Sequence, residues 1–290
     1  MRLGVRAHDF GKLPVDELAG RIAAKGFCCV QLAPPKAIAG FDTDAGRLSP
    51  GFACHVKEAL QRQGLEIAVL GCYINLADPD AEARKCQLMR FKEYLRYARD
   101  FGCSIVGTET GSLNADYSFH PGNRGEAAFQ TVLASVRELV EEARRCGVLV
   151  GIEGVERYVI SDPPRIRRLL DDVGSTDLQI IFDPVNLLSA ENYLRQDAIV
   201  RESFELFGDR IAIVHAKDFV VESGAIKSVP SGRGLLNHGL LMDLIRTRKP
   251  FINVIMEDTN HATAEEGVRF LKGFFPPEAG AGEAGSSSRH

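Results

Sequence analysis

Four polar residues in the second half of the chain each follow a short apolar run, and together they could bind a metal ion. These residues are Glu153, Asp183, His215 and Glu257. They are separated by 30, 32 and 42 residues, and each interval is about the length of one strand–helix unit. If the runs are neighbouring parallel strands, the four side chains converge, and three carboxylates there would repel one another without a cation. The spacing therefore predicts a site for one divalent metal ion.

The donor atoms of this site indicate which ions it would hold. Three carboxylates and one imidazole provide mainly oxygen ligands. Such a set suits Mn²⁺, Mg²⁺ or Co²⁺ better than it suits a structural zinc site, and Zn²⁺ is compatible with it as well. The sequence leaves the choice among these ions open.

Further polar residues follow the earlier apolar runs or lie in the loop after His215, where they could contact a substrate. Candidates for binding hydroxyl groups are His8, Gln31, Asn75 and Glu109. Any of these could instead cap a loop or support a ligand from behind. Lys217 and Arg233 could hold a substrate carboxylate or phosphate, although a loop arginine is just as often only solvated.

The elements that must position these residues alternate along the whole chain, which is typical of repeated βα units. Predicted strands cover residues 3–7, 27–32, 65–70, 104–107, 148–152, 178–182, 211–214 and 252–256. Helical apolar spacing covers residues 15–25, 50–63, 80–101, 124–146, 162–173, 196–207, 238–247 and 262–274. Eight strands and eight helices predict an α/β protein with a single (β/α)8 TIM barrel, whose active site lies at the C-terminal ends of the strands.

An open doubly wound sheet is the alternative fold for such an alternation. That fold normally carries a glycine-rich phosphate-binding turn after its first strand, whereas His8-Asp9-Phe10-Gly11 stands there in this chain. We expect the barrel domain to occupy residues 1–277. Residues 278–290 are mainly Gly, Ala, Glu and Ser, a composition that predicts a disordered C-terminal tail.

Charge and composition restrict the partners and the location of the protein. The chain has 35 basic and 39 acidic residues, a formal charge of −4, which disfavours nucleic acid and anionic membranes as partners. No export signal and no apolar run of membrane-spanning length is apparent. Seven cysteines without a CxxC pair indicate reduced thiols. We expect a cytoplasmic protein that binds a small carbohydrate, and a homo-oligomer is compatible with these features.

Several motifs resemble the xylose-isomerase-like TIM barrels over residues 2–275. The motifs are Gly151-Ile152-Glu153, Phe182-Asp183-Pro184-Val185-Asn186, Val214-His215-Ala216-Lys217-Asp218 and Met256-Glu257. That superfamily contains sugar-phosphate isomerases and epimerases, ketose 3-epimerases, hydroxypyruvate isomerases and inosose dehydratases.

The resemblance implies roles for the four candidate ligands. Glu153, Asp183, His215 and Glu257 would bind the metal, and the two glutamates would also move the proton. Isomerisation or epimerisation next to a carbonyl removes a weakly acidic C–H proton, so a metal must stabilise the enediolate while a carboxylate takes the proton. Glutamates on opposite sides of a substrate allow removal from one face and return to the other, or transfer between neighbouring carbons.

The chain departs from the family pattern at two places. Many members have histidine three residues after the aspartate of the sixth strand, where this chain has Asn186, which we expect to contact substrate. Asparagine donates a hydrogen bond but cannot shuttle a proton. The segment after Glu153, residues 154–158, also differs from the usual proline-containing pattern. The substrate of a named relative therefore cannot be assigned to this chain.

Three other functions remain to be weighed against an isomerase or epimerase. A dehydratase acting on an inosose-like keto-polyol could use the same base and metal. A catalytically inactive, sugar-sensing barrel is permitted by Asn186, although such a barrel would have little reason to retain both glutamates. The apurinic endonuclease branch is disfavoured because its multi-zinc site needs many histidines, and only His8 and His215 lie at strand ends.

Overall fold

The computed structural model describes residues 2–41 and 46–275. Eight parallel strands form a closed barrel. They are β1 (Arg2–Arg6), β2 (Cys29–Leu32), β3 (Glu66–Gly71), β4 (Ile105–Glu109), β5 (Leu149–Glu153), β6 (Leu178–Phe182), β7 (Ile211–Ala216) and β10 (Asn253–Met256). Around the barrel they lie in the order β1-β10-β7-β6-β5-β4-β3-β2. β1 pairs with both β2 and β10, which closes the sheet and confirms the predicted barrel.

The barrel interior is filled by side chains from alternating strand positions, as expected for this architecture. The interior layer consists of Cys29, Val69, Ile105, Ile181, Ile213 and Ile255. Gly107 provides the space that these residues need, because a Cβ there would lie 2.6 Å from Ile181 Cδ1 and 2.8 Å from Val69 Cγ1. The barrel therefore has a packed core below the residues at its mouth.

Helices cover the outside of the barrel. They are α1 (Val15–Ala23), the four-residue α2 (Pro34–Ala37), α3 (Pro50–Gln61), α4 (Ala81–Tyr97), α5 (Glu126–Cys146), α6 (Pro163–Val173), α7 (Gln196–Phe207), α8 (His238–Arg248) and α9 (Ala264–Lys272). Several begin with a capping side chain; Asp162, for example, accepts a hydrogen bond from Arg165 N ahead of α6. α5 ends at Gly147 with φ +66°, the left-handed conformation that glycine adopts readily.

Two features, a hairpin and the short helix α2, were absent from the sequence prediction. Between β7 and α8 the chain forms an antiparallel hairpin of β8 (Asp218–Glu222) and β9 (Ala225–Val229). The eight barrel strands and the eight longer helices were expected, whereas this hairpin and α2 were not. None of the helices in the described ranges is long and apolar enough to cross a membrane. The predicted tail, 278–290, lies outside the described residues.

Candidate metal centre and substrate cavity

The mouth of the barrel brings the four predicted ligands together. Glu153 ends β5, Asp183 directly follows β6, His215 lies near the end of β7, and Glu257 directly follows β10. One potential ligand atom from each of Glu153, Asp183 and His215 lies within 4.8 Å of the other two. Glu257 Oε1 lies 3.5 Å from His215 Nδ1, so the fourth carboxylate borders the same point. All four residues are buried.

The imidazole of His215 is oriented by a side chain from another part of the barrel. Its Nε2 donates a hydrogen bond to Gln31 Oε1 at 2.8 Å, and Gln31 Nε2 donates to Tyr73 Oη at 2.6 Å. With the proton on Nε2, Nδ1 carries a free lone pair. This Nδ1 is buried without a hydrogen-bond partner, and it lies 3.4 Å from Glu153 Oε1. Such an atom, surrounded by carboxylates, is suited to metal binding.

The two carboxylate oxygens of Asp183 also differ, since one accepts hydrogen bonds and the other does not. Its Oδ1 accepts hydrogen bonds from Val185 N at 2.9 Å and Asn186 N at 3.1 Å, which fixes the carboxylate at the start of the following turn. Its Oδ2 is buried, accepts no hydrogen bond and lies 3.7 Å from His215 Nδ1. Two buried ligand atoms that form no hydrogen bond therefore lie near each other, as in a metal site.

Two cations balance part of the negative charge at this point. Lys217 Nζ lies 2.8 Å from Asp183 Oδ2 and 2.9 Å from Glu257 Oε2, while Arg6 Nη1 lies 3.2 Å from Glu257 Oε1. Burial alone would raise the pKa of Glu257, but the positive charges of Lys217 and Arg6 hold it well below its ordinary value. Glu257 is therefore ionised at neutral pH.

Asn186, which follows β6, forms a hydrogen bond with Glu153, the candidate ligand at the end of β5. It lies in the short turn Val185–Leu187, and its Nδ2 donates to Glu153 Oε1 at 2.5 Å. The asparagine thus contacts a candidate catalytic carboxylate directly. It also borders the cavity above that carboxylate, where a substrate could reach it.

A cavity of about 340 Å³ opens above these residues. Its walls include Arg6, Glu109, Glu156, Arg157, Asn186, Lys217, Glu257 and Asp258, together with Ile226 and Ser228 of the hairpin. Glu109 at the end of β4 pairs in register with Glu153 of β5. Burial and then the charges of Glu153 and Glu257 raise the pKa of Glu109 to about 7. The cavity is strongly polar and large enough for a small sugar.

A comparison with protein families agrees with this fold. A family model described as "Xylose isomerase-like TIM barrel" matches residues 19–274. The chain belongs to this family.

Known members and neighbours show how far the similarity extends. The D-psicose 3-epimerase of Enterocloster bolteae is 26% identical over 145 residues, which are 49% of this chain and 46% of that protein. The alignment thus spans about half the length of this relative. The solved structure of a D-tagatose 3-epimerase-like protein gives a TM-score of 0.75 at 19% identity, covering 94% of this chain and 97% of the other. An IOLI protein with a binding zinc atom gives 0.71 at 13% identity, covering 94% and 96%.

Two residues of this xylose isomerase-like barrel that were expected to contact substrate do not line the cavity. Asn75 is only 1% exposed, and its side chain is used by the backbone: Nδ2 donates to Ser112 O, and Oδ1 accepts from Ala77 N and Ser112 N. The side chain of Asn75 thus links the loop after β3 to the loop after β4, and its amide has no group free to bind a ligand. Arg233 forms an ion pair with Glu266 and does not line the cavity.

The remaining candidates lie at the mouth. His8 is half-buried after β1, and burial, with the charges of Arg6 and Lys36, lowers its pKa to about 4. It is therefore neutral at physiological pH. Lys217 contacts two candidate ligands and so is not free to bind an anion from the substrate. Glu109 and Asn186 line the cavity as expected.

Two residues at the mouth of the barrel, Arg6 and Arg157, were not among the site residues predicted from the sequence. Arg6 pairs with Asp9 at 2.8 Å and Asp258 at 2.9 Å as well as with Glu257, although a strand-end arginine carries no motif. Arg157 appeared only as part of a divergent segment. The signal that could have identified Arg6 is its position, since it ends β1 at the mouth of the barrel.

Proposed function

We propose that this chain is a metal-dependent isomerase or epimerase of a small sugar, sugar phosphate or related hydroxy-keto compound. The observation that carries this proposal is the buried, unbonded Nδ1 of His215 with three carboxylates around it, at 3.4, 3.7 and 3.5 Å, beneath a polar cavity. The similarity to a D-psicose 3-epimerase supports the same activity.

Glu153, Asp183, His215 and Glu257 would hold the ion, with Mn²⁺, Mg²⁺ or Co²⁺ favoured and Zn²⁺ compatible. Two buried ligand atoms without hydrogen bonds, His215 Nδ1 and Asp183 Oδ2, fit such a group. When bound, the ion would polarise a substrate carbonyl and stabilise the negative charge that develops beside it. A structural neighbour, the IOLI protein solved with a binding zinc atom, supports the proposal that this fold holds a metal ion.

The chain's own carboxylates would move the proton. Arg6 and Lys217 keep Glu257 ionised, so its oxygens can accept a proton from the carbon next to the carbonyl. Glu153, held by Asn186, ends β5, which lies on the opposite side of β7 from β10, and it could accept or return a proton at the second position. Return to the opposite face of the same carbon gives an epimer, and return to the neighbouring carbon gives an isomer.

Solvent exchange tests this proposal. The purified protein, loaded with Mn²⁺, is incubated in D₂O with a panel of ketoses and ketose phosphates, and deuterium incorporation is followed by NMR and mass spectrometry. We expect incorporation next to the carbonyl of at least one compound, its loss after chelation, and its recovery when Mn²⁺ is restored. The exposed hairpin variant Glu222→Gln is the control and should behave as wild type. Full activity in a demonstrably metal-free sample contradicts the mechanism.

A further inference from the structure

We infer, resting on the proposed function, that the hairpin β8–β9 sets the length of the sugar that this site accepts. Ile226 would close the cavity against the end of the carbon chain remote from the candidate metal ligands. Ile226 and Ser228 of β9 line the same cavity as Glu257 and Lys217. The hairpin lies in the connection between β7, which carries His215, and α8. Ile226 is then a residue of specificity rather than of catalysis.

The register of the hairpin shows which of its side chains face the cavity. Ile226 and Ser228 are two residues apart on β9, so their side chains lie on the same face of the ribbon. Ile226 is half-buried, whereas Ala225 and Lys227 on either side of it are exposed. Lys227 forms an ion pair with Glu222 at 2.9 Å on the outer face. The alternation thus directs Ile226 and Ser228 inward.

Along the hairpin, Ile226 lies farther than Ser228 from the candidate ligands. The hairpin begins directly after Lys217, whose ammonium contacts two of those ligands. Ser228 pairs with Phe219 near this start, and Ile226 pairs with Val221, two residues nearer the exposed turn. At about 3.4 Å per residue, Ile226 lies roughly 7 Å farther along the ribbon. A carbon chain that extends outward from the ligands therefore reaches Ser228 before it reaches Ile226.

Contacts with the body of the protein hold this wall in place. Phe219 is fully buried, and its ring lies edge-on to the ring of Tyr193, with the centroids 6.1 Å apart. Ile226 packs against the main apolar core, as does Val221 opposite it. The β-branched side chain of Ile226 also has few rotamers to choose from. The wall therefore keeps its position when a longer substrate approaches.

The apolar side chain of Ile226 explains why length would be selected at this point. Further apolar residues of the cavity wall are Val155, Val185 and Leu188, which follow the neighbouring strands β5 and β6. An additional hydroxymethyl group that meets Ile226 would lose its hydrogen bonds to water without gaining one from this side chain. Per carbon atom, an apolar wall discriminates between substrates by about 10- to 200-fold.

NMR titration of the Mg²⁺-loaded protein with ketoses of increasing length tests the inference. The ligands are L-erythrulose, D-ribulose, D-fructose and D-sedoheptulose, in which the chain grows by one carbon at a time. Wild type should bind one ketose best and the next longer one about tenfold more weakly or worse. Ile226→Ala should reduce that ratio about tenfold, because it removes the side chain that blocks the longer sugar. Ile226→Phe should have the opposite effect and move the preference to a shorter ketose.

Val220→Ala is the matched control. Val220 pairs with Lys227 and so lies on the outer face of the same hairpin, and it does not line the cavity. Its truncation also removes apolar volume from the ribbon, yet the ratio between the two ketoses should equal that of wild type. A change in Val220→Ala as large as in Ile226→Ala would trace the effect to a loosened hairpin and overturn the inference.

Other outcomes also contradict the inference. One is a wild-type affinity that falls nowhere between a ketose and the next longer one, and binding of none of the four ketoses counts equally against it. Another is an unchanged ratio in both Ile226→Ala and Ile226→Phe.

Deuterium exchange separates this inference from the proposed function. If no ketose exchanges deuterium but binding depends on length through Ile226, the hairpin selects sugars in a protein that does not convert them, and only the proposed function fails. If ketoses of different length exchange at rates that Ile226→Ala does not alter relative to one another, the proposed function stands and the inference fails.

Discussion

At the scale of single residues, His215 depends on a neighbour that is not a ligand. Gln31 accepts from its Nε2 and is itself held by Tyr73, so the free Nδ1 is the atom that faces the carboxylates. Partners of this kind typically change metal affinity by 10–100-fold when they are removed. We predict that Gln31→Leu weakens Mn²⁺ binding by roughly that factor, as measured by calorimetric titration of the chelated protein.

Gln31→Glu is the matched control for this prediction. Glutamate keeps an oxygen that can accept from His215 Nε2, so Mn²⁺ affinity should stay closer to wild type than in Gln31→Leu. Circular dichroism would confirm that both variants fold. Wild-type affinity in Gln31→Leu would show that His215 does not need this hydrogen bond.

The sequence indicated where the candidate ligands meet better than it indicated which side chains support them. Glu153, Asp183, His215 and Glu257 could be predicted because each leaves a strand, and strand order determines where such residues meet. The contacts of Arg6 could not, because its partner Asp258 is 252 residues away in sequence. Asn75 also leaves a strand, yet its short amide is used entirely by backbone groups.

At the scale of elements, Asp218 joins the hairpin β8–β9 to the loop that follows it. Its Oδ1 accepts from Phe219 N and Leu236 N, both at 2.8 Å, and its Oδ2 accepts from Gly232 N at 3.1 Å. These bonds connect the start of the hairpin to the loop that follows it. Since β9 contributes Ile226 and Ser228 to the cavity wall, the carboxylate also supports the shape of the site.

We predict that Asp218→Ala lowers the free energy of unfolding by about 2–4 kcal/mol, because it leaves several backbone N–H groups without an acceptor. Urea denaturation measures this. Asp218→Asn keeps one acceptor oxygen and should lose less. Equal stability of the alanine variant and wild type would mean that the hairpin is held by packing alone.

The hairpin was missed because its strands are short and follow the seventh strand almost directly. A signal was nevertheless present in the turn between Glu222 and Ala225. Its two residues, Ser223 and Gly224, both have positive φ, +51° and +76°, as two-residue hairpin turns of the primed type require. The pair Ser-Gly, with Val221 before Glu222 and Ile226 after Ala225, is the pattern that could have predicted it.

At the scale of the whole molecule, the candidate ligands come from β5, β6, β7 and β10, four adjacent strands of the barrel. An ion bound there would connect half of the barrel and bind only the folded state. Ligand at a hundred times its Kd stabilises a protein by about 2.7 kcal/mol. We predict that saturating Mn²⁺ raises the melting temperature of protein from which metal has first been removed with a chelator, as measured by calorimetry.

The variant His215→Ala is the control for this effect. It removes one ligand while Glu153, Asp183 and Glu257 remain, so the stabilisation by Mn²⁺ should be much smaller. An equal rise in melting temperature in wild type and variant would place the bound ion somewhere else on the protein.

The fold as a whole was predictable because βα alternation with eight units closes in few ways. The periodicity of the apolar residues fixed the order of the elements, and the barrel order confirms it. Side-chain pairing across the mouth was not predictable, because it depends on which rotamers meet between strands that are distant in sequence. Arg157 is an example. The sequence shows that Tyr158 is its neighbour, but only the structure shows that the guanidinium lies over the Tyr158 ring and lines the cavity.

The variant Glu257→Gln tests the central claim most directly, through solvent deuterium incorporation by the Mn²⁺-loaded protein. The amide keeps one oxygen that can bind the ion but cannot accept a proton at neutral pH. We predict weaker but measurable Mn²⁺ binding, turnover lower by about 100-fold or more, and deuterium entering the substrate at the one carbon that Glu153 can still reach. If Glu257→Gln binds Mn²⁺ and turns over at nearly the wild-type rate, Glu257 moves no proton and the two-glutamate mechanism is wrong.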